Sequence, residues 1–310
     1  MEINSEFDTL CFGSGGIQGI MYISAIKYLV SNNYLNLNNI VNYYGTSIGA
    51  IIAFLFIIGY NAEELINIFL KFDLKYFEPE IDLLLIENNY GLDDGVKLTD
   101  KLIELLKNKI NVTDITFIEL YNLLNKKITV NATNLNTGIE KIFNYLETPN
   151  LSVILAIRMS ISIPMIYTPV LYNKEYYVDG ALKNKLLLKY CNSKTTLGFR
   201  MKEFKYYEIN SFQSVLITSL QILLNNSYFD KNIYKIIDFE FFDYTIIILD
   251  ITTEYLQNIF NIGEQFAKKF YYKELKKKIK LLKIDIENNS IKMIKNKMDT
   301  VLIELLKIVK

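Results

Sequence analysis

A short strand candidate, Ile40–Tyr44, runs straight into Gly45-Thr46-Ser47-Ile48-Gly49, and an unbroken apolar run follows from Ile48 to Ile58. Gly-x-Ser-x-Gly in that setting is the elbow in which a strand turns sharply into a helix and holds the serine hydroxyl out. Such a turn needs a sheet beneath the strand and helices over it, so an α/β fold is expected. A serine hydroxyl attacks a carbonyl only if a base takes its proton. Histidine is the usual base, and the 310 residues contain none. Ser47 is therefore either a structural turn residue or the partner of an acidic side chain elsewhere.

The neighbouring sequence keeps the same rhythm. Thr9–Phe12 reads as a strand, Gly13-Ser14-Gly15-Gly16 as a tight loop, and about Ile17–Val30 as a helix. The helix begun at Ile48 stops near Gly59, and Asn61 with Glu64 three residues on marks a new helix start. Strand, helix, strand, helix predicts a mostly parallel central sheet covered by helices. Asn88–Gly95 reads as a polar loop. Leu98–Asn108 and Phe117–Leu124 read as helices, the second opened by a Thr116/Glu119 capping box. Lys127–Ala132 and Ile139–Asn144 are expected to be strands joined by the turn-rich stretch Asn134–Gly138. Asn150–Ser160 reads as a helix closed off by Pro164, and Tyr176–Val178 as a strand running into Asp179-Gly180. Thr195–Met201 and Tyr244–Ile251 are further strand candidates, and the last quarter is helical and rich in lysine.

Composition excludes several classes. Lys+Arg and Asp+Glu both number 34, so there is no net charge and no basic footprint for nucleic acid. Half the residues are hydrophobic, 51%, enough for a substantial core. Cys11 and Cys191 are the only cysteines, which gives no disulfide framework and reads as two reduced thiols. Without histidine, zinc has almost no ligands to draw on. Met1–Glu6 is polar and acidic, unlike a signal peptide. The run Ile48–Ile58 is far shorter than the roughly 20 residues that span a bilayer. The expectation is a protein of the cytoplasm, or of a peripheral membrane surface in a host or producing cell.

Two further stretches carry chemistry. Gly13-Ser14-Gly15-Gly16-Ile17-Gln18-Gly19 lies between a strand and a helix, where glycines let backbone N–H groups approach an anion. Gly-x-Gly-x-x-Gly counted from Gly13 ends on Gln18, and Ser31–Ile40 holds no acid for a ribose, so a dinucleotide site fails. No Gly-Lys-Ser/Thr ending is present for a P-loop. A backbone oxyanion hole remains. Tyr176-Tyr177-Val178-Asp179-Gly180-Ala181 would by itself be a strand and a turn.

Together the three pieces resemble the patatin-like lipid acyl hydrolases. That family has a glycine-rich oxyanion motif, a Gly-x-Ser-x-Gly elbow and a later Asp-Gly-Ala or Asp-Gly-Gly. Thr116–Gly138 is similar to the family's middle segment, and Ile157-Arg158-Met159-Ser160-Ile161-Ser162-Ile163-Pro164, with Pro169 beyond, to the segment before the aspartate. The ordered likeness covers residues 8–185, with 186–310 expected to complete the domain as a mostly helical part. The chain departs from the family motif in two places: Ser14 replaces a glycine and Gln18 replaces a cation.

The resemblance implies a three-layer α/β/α fold and a Ser–Asp dyad of Ser47 and Asp179. It implies an oxyanion hole from the Gly15 and Gly16 amides, with no metal and no cofactor. The implied substrate is a phospholipid or other acyl-ester lipid met at a peripheral membrane surface. An acyltransferase using the same site, or a catalytically inactive lipid-binding module kept open by Gln18, are the alternatives. Met159, Ser160 and Ser162 are expected to pack beneath the site. Arg158 is left between a lipid phosphate and a helix carboxylate. Lys273–Lys283 is either a solvated helix face or a surface for anionic lipid heads. The apolar stripe Ile294, Met298, Val301, Leu305 and Ile308 is expected to cover the domain's own core.

Overall fold

Thr9–Phe12 forms β1, four buried residues at the centre of a mixed sheet. The computed structural model describes residues 7–71, 82–202, 215, 234–240 and 252–288. The strand candidate Tyr244–Ile251 and the stripe from Ile294 to Ile308 lie outside them.

From β1 the chain passes through the glycine-rich loop and a 3-10 turn, Gly16–Ile20, into α1, Met21–Ser31. β2 is Asn42–Gly45 and α2 is Ile48–Ile57, every residue of which is buried. α3, Ala62–Lys71, is opened by reciprocal Asn61 and Glu64 bonds of 2.8 and 2.9 Å. α4, Leu84–Asn89, stands partly where a loop is expected, and α5, Val96–Ile110, follows. α6, Phe117–Leu124, carries the expected capping box. β3, Lys127–Asn134, and β4, Glu140–Phe143, make the expected hairpin. α7 is Val153–Ser160, β5 is Val170–Tyr172 and β6 is Glu175–Asp179. β7, Thr196–Met201, and β8, Lys235–Phe239, extend the sheet, and α8, Thr253–Asn288, closes the described chain. β5 and β8 were not anticipated.

The strands neighbour one another in the order β5-β6-β3-β2-β1-β7-β8, with β4 also on β3. β1, β2, β3, β7 and β8 run parallel, β4 and β6 run against them, and β5, antiparallel to β6, runs with them at the sheet edge. One register detail positions the site. Val130 of β3 faces Gly45 on one side and Phe143 on the other, and Ala132 faces Asp179 and Lys141. β4 therefore holds one edge of β3, and β2 and β6 meet end to end along the other. Gly45 and Asp179 finish two β3 residues apart, about 7 Å along the strand.

Alternation decides which face each side chain serves. Leu10, Phe12, Tyr43, Val130 and Phe199 join α1, α2, α7 and α8 in the main core. Cys11 joins Leu186, Leu187 and Leu188 in a smaller cluster, with Tyr44 and Cys191 packed against it. The result is a three-layer α/β/α arrangement. Tyr22, Phe199 and Phe239 form an aromatic pile under α1.

α8 lies against α1 through Gly263, where an added Cβ would collide with Ser24 Oγ and the Met21 main chain. Gly263→Ala should therefore force the two helices apart and cost about 1–3 kcal/mol, the usual penalty of overpacking. Urea unfolding of the variant beside the parent protein measures it.

Candidate active site

β2 ends at Gly45, and the chain must reverse within two residues to start α2 at Ile48. Ser47 makes that reversal at φ 56° and ψ −128°, a left-handed φ that is rare outside glycine. Such backbone strain costs of order 1–3 kcal/mol and must be held by its surroundings. Four contacts hold it. The Ser47 N–H donates to Ser160 Oγ at 2.9 Å. Thr46 N–H donates to the Phe12 carbonyl at 3.1 Å, and Gly49 N–H to the Thr46 carbonyl at 2.9 Å. Thr46 Oγ1 donates to the Asn184 carbonyl at 3.3 Å. The elbow glycines are there for space, because a Cβ at Gly45 would enter Ala50 and one at Gly49 would strike the Phe12 carbonyl.

Asp179 arrives from the opposite direction on β6. Its main chain is fixed by Asp179 N–H donating to the Ser162 carbonyl at 2.8 Å and by Thr133 Oγ1 donating to its own carbonyl at 3.0 Å. Its Oδ1 accepts the Ala181 N–H at 2.8 Å. Its Oδ2 accepts the Ser47 hydroxyl at 2.6 Å. Both side chains are buried, Ser47 6% and Asp179 3% exposed. Burial disfavours the charged carboxylate and pushes its pKa from the ordinary 3.8 up to about 6. The Ser47 hydroxyl and the Ala181 N–H pull the other way and only partly offset it.

The glycine-rich loop lies beside the elbow. Gly13 N–H donates to the Phe199 carbonyl at 2.8 Å and Ser14 N–H to the Lys185 carbonyl at 2.9 Å. Gly15 and Gly16 then lead into the 3-10 turn, whose first N–H groups have no partner within it. A Cβ at Gly19 would come 2.5 Å from Ile48 Cγ2, so this turn and the start of α2 pack directly together. Anions are also favoured at the N-terminus of α2, where Ser47 sits, by the helix dipole. Gln18, at the position of the family's cation, is buried.

The end of α7 serves both Ser47 and Asp179 at once. Ser160 Oγ receives the Ser47 amide and the Ser162 carbonyl receives the Asp179 amide. The sequence placed these serines beneath the site but gave no sign of this division of labour. Arg158 is buried too. It donates to the Asp94 carbonyl from Nη2 at 2.7 Å and from Nε at 3.2 Å, and to the Thr168 carbonyl at 3.2 Å. It also donates to Ser162 Oγ, and Ser162 Oγ donates back to the Arg158 carbonyl at 2.7 Å. Its cation thus ties two loops to α7 through main-chain oxygens. Asn131 is the residue that sequence reading missed. Its Nδ2 lies 3.3 Å from the Gly180 carbonyl and 3.1 Å from the Asn184 carbonyl, bracing the turn after Asp179.

The chain matches the family model described as Patatin-like phospholipase over residues 10–191. It belongs to that family. A protein of Acanthamoeba polyphaga mimivirus, R571, is 31% identical over 178 residues, 57% of this chain and 58% of that protein. The "Probable lipid hydrolase 463L" of Invertebrate iridescent virus 6 is 28% identical over 244 residues, 73% of this chain and 80% of that protein. Among solved structures, VipD from Legionella pneumophila superposes with a TM-score of 0.54 at 15% identity, covering 84% of this chain and 66% of that one. The type III effector ExoU of Pseudomonas aeruginosa gives 0.53 at 13% identity, over 86% of this chain and 53% of that one. These two likenesses are of fold. The chain thus spans a little over half the length of the mimivirus protein and of ExoU, and about two thirds of VipD.

Ser160→Ala should leave the buried Ser47 amide without its acceptor. A buried donor left unpaired costs about 1–3 kcal/mol, which urea unfolding reads directly.

Proposed function

We propose that this protein is a serine lipid acyl hydrolase that cleaves acyl esters of phospholipids through Ser47, Asp179 and the amides of Gly15 and Gly16. The observation that carries the proposal is the 2.6 Å bond from Ser47 Oγ to Asp179 Oδ2, between buried side chains 132 positions apart. Membership of the patatin-like phospholipase family and the similarity to a viral protein described as a probable lipid hydrolase support it.

In the proposed reaction Ser47 Oγ attacks the ester carbonyl carbon while its proton passes to Asp179 Oδ2. The carbonyl oxygen becomes an oxyanion held by the Gly15 and Gly16 N–H groups, each such donor being worth about 3–4 kcal/mol in the transition state. The tetrahedral species collapses, the ester C–O bond breaks, and Asp179 gives its proton to the departing alcohol or lysolipid. Water then attacks the acyl-serine, again losing its proton to Asp179, and fatty acid leaves as Ser47 is restored. An aspartate at its ordinary pKa is a weak base for this work. Burial raises Asp179 toward the range where a base is useful near neutrality. The substrate would be met at a membrane surface, since long-chain acyl lipids are aggregated in water. No helix among the described residues is long and apolar enough to cross a membrane.

The direct test is incubation with mixed phospholipid vesicles and mass analysis of the products. Free fatty acid and lysolipid are expected; acyl transfer to an added alcohol in place of water would shift the assignment to a transacylase. A fluorophosphonate probe should label the parent protein and leave Ser47→Ala unlabelled, and labelling that survives this substitution would remove Ser47 from the mechanism.

Asp179 also links activity to pH and stability. The base must be ionised, so kcat/KM for a soluble ester should fall as pH drops through about 6. Asp179→Asn should lower activity by about 10²–10⁴-fold or more. Its effect on stability has the opposite sign. Because the folded pKa lies above the unfolded one, the folded state binds more protons between about pH 4 and 6, and stability falls as pH rises through that window. The penalty at pH 7 is of order 3 kcal/mol. The Asn variant should therefore melt higher than the parent at pH 7, with the difference shrinking toward pH 4.

A further inference from the structure

We propose that the apolar rim standing over the C-terminal edge of the sheet, carried by Leu83, Leu84, Tyr90, Ile139, Met165 and Leu171, is the surface by which this protein enters the face of a lipid bilayer. The proposal rests on the hydrolase reading, which supplies the reason an ester-bearing bilayer must come to this side of the molecule.

The rim is one continuous structure built from four short segments. Leu92 and Asp93 N–H both donate to the Ile166 carbonyl at 2.9 Å, which joins the loop after α4 to the Met165–Thr168 stretch. The rings of Tyr90 and Tyr176 meet edge to face at 5.9 Å, joining α4 to β6. Leu135 N–H donates to the Tyr176 carbonyl at 2.8 Å, joining the β3–β4 turn to the same strand, and Leu171 pairs with Tyr176 across the β5–β6 hairpin. Tyr176 lies three residues before Asp179, about 10 Å further out along β6. The rim thus stands above the dyad, on the side where β1, β2 and β3 end. Leu84 is 77% exposed, Leu83 70% and Ile139 65%. Large apolar side chains gathered and left in water at one place mark an interaction surface.

The lysine-rich helix face is at the other end. Gly263 of α8 touches Met21, the first residue of α1, and Tyr271 reaches Tyr28 and Tyr34 past the middle and end of α1. α8 therefore runs away from the glycine-rich loop. Lys280 is 17 residues beyond Gly263, about 25 Å along the helix. A bilayer held by Lys276, Lys277 and Lys280 would lie far from Ser47. The choice between a bilayer and a folded partner follows from position. A protein seated on the rim would cap the way to Ser47, whereas a bilayer seated there brings acyl ester to it.

The absence of tryptophan from the sequence makes the test clean, because one introduced tryptophan reports on its own surroundings. Leu84→Trp and Ile139→Trp should each shift their emission to the blue on adding vesicles of neutral diether phosphatidylcholine, which present a bilayer without ester bonds. Leu123→Trp, exposed at the end of α6 two residues short of β3 and so at the opposite edge, should not shift. Flotation of Leu84→Glu/Ile139→Glu/Met165→Glu with the same vesicles should be weakened by about tenfold for each residue changed. The triple variant should keep the parent's rate on a water-soluble short-chain ester, which also shows that it folds. Lys276→Glu/Lys277→Glu/Lys280→Glu should float like the parent. The proposal is overturned by a parent protein that fails to float, by a triple variant that floats unchanged, by loss of flotation in the lysine variant, or by a rim that instead drives concentration-dependent dimers. Flotation and emission need no turnover. A protein that binds through the rim yet hydrolyses nothing would uphold this surface and sink the hydrolase reading alone.

Discussion

The site depends on one edge of β3 being shared. β2 occupies its first half and β6, running the other way, occupies the second. Two strands that approach head-on along one edge must both turn off where they meet. β2 turns into the elbow and delivers Ser47; β6 turns into Gly180 and delivers Asp179. The hydrogen bond between them is thus a consequence of strand pairing rather than of any local motif. Everything else secures the two turns: Asn131 on the Asp179 side, Thr46 reaching the Asn184 carbonyl between them, and the end of α7 beneath both. Loss of β3 register by one residue would put alternate side chains on the wrong face and separate the pair.

The same arrangement sets the energetics. Ser47 holds a strained φ and Asp179 holds a carboxylate away from water, two costs on a marginally stable domain. The α2 helix offsets them: ten buried residues, Ile48–Ile57, anchor the elbow from one side. Arg158 contributes from the other by binding loop carbonyls that would otherwise be left unpaired. A buried guanidinium pays desolvation, which lowers its pKa, yet it stays charged and supplies several donors in one plane. Lysine at this position could not reach Asp94, Thr168 and Ser162 together.

Local chemistry made much of this legible in the sequence. The strand–glycine–helix rhythm located β1, α1, β2 and α2, and the Asn61/Glu64 and Thr116/Glu119 pairs located two helix starts to within a residue, because capping is decided by neighbours in the chain. The Asn134–Gly138 turn was equally clear. What stayed hidden was non-local. β5 and β8 are short strands whose formation depends on the partners they meet, β6 and β7. The partners of Arg158 are carbonyls, which carry no residue identity to read. Ser160 and Ser162 were expected to pack, but which amide each would receive depends on the β6 turn coming to rest over α7. Cys11 and Cys191, 180 positions apart, turn out to pack in one cluster for the same reason.

In the reaction we propose, a chain without histidine asks its aspartate to do a base's work, and the lever that the described residues supply is dryness. Burial is the largest cause of the raised pKa of Asp179, ahead of both hydrogen bonds that oppose it. In that reaction an acyl chain entering beside Ser47 would remove still more water, so it would strengthen the base in the act of binding. Polar occupants would do the reverse. On the proposed mechanism, selectivity for apolar substrates and basicity of the carboxylate would stem from one property of the site, its exclusion of water, and neither could be tuned without the other. A triad built on histidine is free of that coupling, because imidazole has a useful pKa even when wet.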